Sequence, residues 1–243
     1  MKHRDVNLST VLIWTLLALV FTQLSACTSN PSATQGTNET SSSLKYLAKT
    51  DIDTVSDQFV ATNLAYLRTL TEKLYRRNPG HCTNTGRSIE QCISRLFDSK
   101  HQWDFEELDG RKNTDALMLA FDENYHGDRV MAFIIGLSSM IIASYNNKTE
   151  FFILDELDPQ KLYNSARNIE IAVWKLSNNR DKSKHLFLLS NSGTGEVRNL
   201  SYERLFGKLI ATQDLIAKII SQSTNRRIKN IIQSVATAVF IPI

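Results

Sequence analysis

Residues 129–145 constrain the fold more than any other stretch of the chain. Ala132, Gly136, Ser139 and Ala143 are spaced four, three and four apart, so they line one side of a helix. Val130, Phe133, Ile134, Leu137 and Ile141 fall on the other side. A helix apolar nearly all round has to be covered on every face. Its small-residue stripe lets a second helix come close. The apolar stretch, 130–143, is about 14 residues, whereas an easy membrane span needs roughly 20. The expectation is a central core helix, with membrane insertion as the rival.

Such a core needs helical neighbours, and the chain supplies them. Val55, Phe59, Tyr66, Leu67, Leu70 and Leu74 recur at helical spacing until Pro79-Gly80 stops them, with Lys73, Arg76 and Arg77 in the last turns. Ser88 and Gln91 form a capping box that opens a helix through Phe97. A third helix is expected over 115–125. Asp158-Pro159 pairs an N-cap with a proline at the first helical position, opening a helix through Leu162, Ala166, Ile169, Val173 and Leu176. Ser201 is expected to cap a final helix bearing Leu205, Leu209, Ile216 and Ile220, with a break near Ser223 before Ile228, Ile231, Ile232, Val235 and Val239. The apolar runs 151–154 and 186–189 read equally as short strands or buried turns. With only 9 Gly and 4 Pro, an all-β sandwich is disfavoured. The fold class is therefore mostly α: a single helical domain over 44–243, with room for one or two short strands.

What precedes that domain is of another kind. Lys2, His3 and Arg4 form a basic start, and an apolar core of about eleven residues follows from Val11 to Phe21. It is too short to span a bilayer and reads as a secretory signal peptide over 1–26. It ends in Leu24-Ser25-Ala26-Cys27, which resembles the lipobox of bacterial lipoproteins. That resemblance covers the first 27 residues only. It implies that Cys27 becomes the lipidated first residue of the mature protein. Thr28, where an Asp would mean retention in the inner membrane, implies transfer to the outer membrane; the inner membrane and the cell surface are the alternatives. Two or more acyl chains anchor stably where one does not. Residues 28–43 contain no large apolar side chain and read as a flexible tether with an r.m.s. reach of roughly 22 Å.

An exported chain meets oxidising conditions. Cys82 and Cys92 remain once Cys27 is acylated, and they make one possible disulfide. Closing a loop of about eleven residues contributes ~2.8 kcal/mol in the chain-entropy picture. The rival is a metal site of His81, Cys82, Cys92 and His101, whose spacing lacks the tight pairs that zinc sites show. The sequence therefore calls for no metal and no cofactor.

Catalytic signals are weak. The densest polar cluster runs from Asp122 to Asp128 and supplies Glu123, His126 and Asp128 as acid, base or metal candidates. Asp122 and His126 would share a face if the third helix reached that far. The plainer reading is a helix end with a Gly127 stop, followed by Asp128 capping the next helix. Gly193-Thr194-Gly195 lacks the endings of a phosphate loop. Arg226, Arg227 and Lys229 make a small basic spot suited to anionic headgroups or an acidic partner, or merely to a solvated helix end. The apolar C-terminus, 235–243, should dock on the body or meet a partner. A net charge of +3 gives no reason to expect nucleic acid as a partner. The expectation is a lipid-anchored envelope protein that binds other envelope proteins or helps assemble a complex. An envelope hydrolase acting on cell wall or lipid, and a transport or pore component, are the alternatives.

Overall fold

Thr50 opens the first helix. Its hydroxyl accepts from Asp53 N while the Asp53 carboxylate accepts from Thr50 N, a reciprocal cap that satisfies two orphan amides. This capping box lies five residues ahead of the first periodic apolar residue, which is why apolar spacing alone starts the helix late. The computed structural model describes residues 49–99, 101–191, 199–229 and 238–243. Seven α-helices and one 3-10 turn lie among them: α1 (Asp51–Arg77), α2 (Gly80–Thr83), α3 (Ile89–Phe97), the 3-10 turn Glu106–Leu108, α4 (Asn113–Leu119), α5 (Arg129–Ser144), α6 (Pro159–Asn178) and α7 (Ser201–Thr224). The tether 28–43, Cys27, Gly193-Thr194-Gly195 and Ile231, Ile232 and Val235 lie outside the described residues.

The molecule is built around α5. Every residue of that helix except Arg129 and Ala143 is buried. Helices α1, α4 and α6 pack on it, and α7 lies against α1 and α6. The small stripe is where α4 arrives. A methyl on Gly136 would lie 2.6 Å from Leu117 Cγ and 2.7 Å from Leu117 N, so only glycine permits that approach. Ser139 Oγ accepts from Asn113 N at 2.7 Å and donates to Ile135 O, fastening the start of α4 to the stripe. Among the described residues no helix is long and apolar enough to cross a membrane. Within the core, Gln213 on α7 donates to Ser144 Oγ and Ser165 Oγ, linking three helices through buried polar atoms.

Three of the four caps marked in the sequence hold: Ser88 and Gln91 are reciprocally bonded, Asp128 accepts from Met131 N, and Asp158 accepts from Gln160 N ahead of Pro159. Two expectations fail. Ser201 is the first helical residue of α7, not its cap; its N–H donates to Asn199 Oδ1 two residues back. The third helix ends at Leu119 instead of reaching Tyr125. The cause is a competing set of bonds. Asp122 Oδ1 accepts from Asn124 N, and the Arg129 guanidinium donates to Ala120 O at 2.9 Å and Tyr125 O at 2.6 Å. Carbonyls that a longer helix would bond internally are met by a side chain.

No strand forms in the runs 151–154 and 186–189; a single bridge joins Arg180 to Leu186. Extended segments pair instead with side-chain amides. Asn78 at the end of α1 accepts from Leu189 N and donates to Leu189 O, both at 2.8 Å. Asn168 on α6 does the same with Ile241, at 2.7 Å each way, and Asn164 donates to Pro242 O. Gln160, one turn before Asn164, grips Lys229 in the same manner. The residues 238–243 are thus docked on the body itself, with Ala238 buried and Phe240 under the Lys175 ammonium.

Candidate functional site

The disulfide expected from the cysteine count is present. Cys82 on α2 is bonded to Cys92 on α3, with Cα atoms 6.3 Å apart and both residues buried. The rival metal set does not assemble. The two sulfurs are bonded to one another, and the two imidazoles serve elsewhere. His101 lies beside Trp103, and His81 accepts from Arg129 N at 3.4 Å. Among the described residues no three metal-binding side chains converge.

The structure separates the acidic-cluster candidates. Glu123 forms an ion pair with Lys182 at 2.7 Å. His126 is exposed on the turn after α4. Asp128 points inward: Oδ1 accepts from Met131 N to cap α5, and Oδ2 accepts from Tyr75 OH at 2.7 Å. The three share no site, and Asp122 and His126 share no helix face because α4 has already ended.

Asp128 instead anchors a node that the sequence does not display, because Tyr75 and His81 come from another part of the chain. Burial pushes the Asp128 carboxyl up to about 6, against the pull of its hydrogen bonds from the α5 backbone and from Tyr75. Burial raises Tyr75 well above the ordinary phenol range. Burial and the neighbouring Arg129 charge lower His81. Arg129 stacks over Phe187 at 4.8 Å. The node joins α1, α2 and the start of α5 and ties these three elements together.

An open site lies elsewhere. A cleft of about 610 Å³ is lined by Leu64 and Arg68 of α1, Leu96 and Phe97 of α3, and His101 and Trp103 of the following loop. Trp103 stands edge-on to Phe97, ring centroids 6.1 Å apart, and edge-on to His101 at 5.1 Å. Arg68 lies over Phe97 and makes a bidentate pair with Asp98, at 2.6 and 3.0 Å. Two consecutive residues, Gln102 (φ 47°) and Trp103 (φ 59°), sit in the left-handed region without being glycine. That conformation costs energy and persists where the surroundings enforce it. Here His101 enforces it: Nδ1 accepts from Trp103 N at 2.9 Å and Nε2 donates to Leu96 O at 2.8 Å. The indole is only partly buried. Sequence reasoning had no signal for this cleft, since Trp103 belongs to no periodic pattern.

No family model matches the chain, and neither a curated protein nor a solved structure matches it.

Proposed function

We propose that the chain is a lipid-anchored envelope protein whose helical body binds another envelope protein through the Trp103 cleft. The cleft is the observation that carries this reading. Trp and Arg dominate the energetics of protein interfaces when they sit together in a pocket that a partner can desolvate. Trp103, Phe97, His101 and Arg68 form such a group. Arg68 is already paired with Asp98, so the cleft presents apolar area with a satisfied polar rim and takes an apolar or aromatic side chain more readily than a charged one.

The anchor rests on Leu24-Ser25-Ala26-Cys27 and its resemblance to the lipobox, with Thr28 favouring the outer membrane. The Cys82–Cys92 bond fits an exported location, because disulfides persist in oxidising compartments. The hydrolase alternative loses its best residues, since Glu123, His126 and Asp128 do not converge. The pore alternative needs α5 to leave the core it organises. Separation of inner and outer membranes by density would locate the protein; recovery with the inner membrane would contradict the sorting assignment.

A photo-crosslinking amino acid in place of exposed Gln102 tests the binding surface in intact cells. A discrete adduct is expected, and Trp103→Ala should abolish it. An adduct unaffected by Trp103→Ala would refute the cleft as the contact. So would crosslinking no greater than from an exposed position such as Leu215.

A further inference from the structure

Three side-chain amides stand in a row on α6. Gln160, Asn164 and Asn168 are four residues apart, so they rise along one face of the helix, and Ile171 and Lys175 continue the same stripe. The segment 238–243 lies on it. Asn168 donates to Ile241 O and accepts from Ile241 N, at 2.7 Å each. Asn164 donates to Pro242 O at 2.9 Å, and its own oxygen accepts from Gln160, which fixes the amide with its N–H toward the segment. Phe240, Ile241 and Pro242 meet Lys175, Asn168 and Asn164 in turn, so the segment runs antiparallel to α6. The stripe grips extended backbone much as a neighbouring strand would. These bonds go to main-chain atoms, which every residue type but proline presents in full, so the grip does not depend on the side chains of the segment held.

The segment is held lightly. Of its six residues only Ala238 is buried; Val239 is 64% exposed, and Pro242 is exposed as well. Three hydrogen bonds and a modest apolar cover must offset the ordering of the whole segment. The α6 side chains that engage it are polar: Asn164, Asn168 and Lys175, all buried. Amides and an ammonium rehydrate readily when uncovered, unlike the apolar face that α6 turns to the core.

Lys175 is also poorly matched by what covers it. The residue is 9% exposed, yet among the described residues no carboxylate pairs with it, and its ammonium stands over the Phe240 ring at 5.7 Å. Burial without an anion lowers Lys175 below the ordinary lysine value. An ammonium so covered gains from an adjacent carboxylate more than from a ring.

We infer that this face of α6 is a docking groove for an extended acidic segment of another polypeptide, gripped through its backbone by Asn164 and Asn168 with a carboxylate on Lys175. Residues 238–243 occupy the groove until such a segment displaces them. The partner's chemistry follows from the mismatch: the chain's own segment satisfies the amides but brings Lys175 no anion, whereas one with Asp or Glu in the place of Phe240 satisfies both. The groove is apart from the Trp103 cleft of α1 and α3, and it stands whether or not Cys27 is acylated.

The test uses the full-length protein in mild detergent and two fluorescently labelled hexapeptides, with binding read by anisotropy. One has the sequence Ala-Val-Phe-Ile-Pro-Ile of residues 238–243; the other carries glutamate in place of its phenylalanine. Ile241→Pro in the protein removes the N–H that Asn168 accepts and leaves the α6 side chains unchanged. This variant should keep its helical circular dichroism. It should bind the glutamate peptide about tenfold more tightly than the unaltered protein does, the factor expected where a groove is filled about nine-tenths of the time. The glutamate peptide should bind the variant about fivefold more tightly than the phenylalanine peptide, as for a partly exposed ion pair. Lys175→Met should erase that preference, and Asn168→Leu should abolish binding of both peptides. In the otherwise unaltered protein, an environment-sensitive fluorescent amino acid at exposed position 239 should report release of the segment as the glutamate peptide is added. Loss of the fold in Ile241→Pro would overturn the proposal, because a displaceable segment cannot be required for folding. So would peptide affinity equal in the variant and the unaltered protein, affinity unmoved by Asn168→Leu, or no release at position 239. Equal affinity for the two peptides would refute the acidic partner.

Discussion

The chain contains two four-residue apolar runs of nearly the same composition, at 151–154 and 186–189, and they meet opposite fates. Each buries one side chain: Phe151 against the Tyr145 ring, and Leu188. The second run is then clamped. Both backbone polar groups of Leu189 are taken by the Asn78 amide, and Phe187 stacks edge-on against Phe121. The first run has only its start fixed, by Asp57, and turns out into solvent at Ile153 and Leu154. They sit at opposite ends of α1. An apolar run therefore does not decide its own burial; the polar groups that reach its backbone do.

Three sets of substitutions bear on that contrast. The largest effect should come from the two buried anchors. Phe151→Ala and Leu188→Ala should each cost about 3 kcal/mol in chemical unfolding, since both side chains are fully covered. A cost below about 1 kcal/mol for either would mean the run is not seated as described. Asn78→Ala should cost about 2 kcal/mol, because it removes three bonds, counting the one to Leu74 O that closes α1. No comparable loss is expected at the other run: Ile153→Ser and Leu154→Ser should each stay within about 0.5 kcal/mol. Destabilisation of the first run's tip as large as that of Asn78→Ala would erase the distinction.

The pH dependence sharpens the closed end of the molecule, where Asp128, Tyr75, His81 and Arg129 meet. His81 is lowered in the fold, so its contribution to stability is present above its ordinary value of about 6.5 and fades as pH falls below it. Asp128 is raised to about 6, so its contribution is present below the ordinary carboxyl range and is lost as pH rises through about 6. The two oppose each other between pH 7 and 5, with Arg95, Arg129, Tyr75 and Tyr125 the charged and titratable neighbours. His81→Gln should leave stability rising as pH falls through that window, by about 1 kcal/mol or less. Asp128→Asn, which keeps the cap, should leave it falling. Identical pH profiles in both variants would contradict the assignment.

Much of the fold is legible in the sequence because its punctuation is local. Ser88 with Gln91, and Asp158 with Pro159, mark helix starts through bonds that reach two or three positions along the chain, and the all-round apolarity of α5 announces its burial. The stop of α4 is not local. It depends on Arg129 reaching back to Ala120 O and Tyr125 O, which no pattern within 115–125 could reveal. The same holds for the sites. Cys82 and Cys92 are found by counting. Asp128 is visible as a cap, but its union with Tyr75, 53 positions away, is a product of the fold. Trp103 is invisible for a further reason: its exposure is fixed by the left-handed backbone that His101 holds, and nothing in the residue types at 101–103 requires that conformation.

The proposed anchor and the proposed compartment both rest on Cys27. Its direct test is the mass of the N-terminal peptide of the protein recovered from the membrane fraction of the cell that makes it. The account predicts a chain that begins at Cys27 and carries acyl chains on that residue. A chain that retains residues 1–26, or begins beyond Cys27, or carries an unmodified cysteine there, would contradict it.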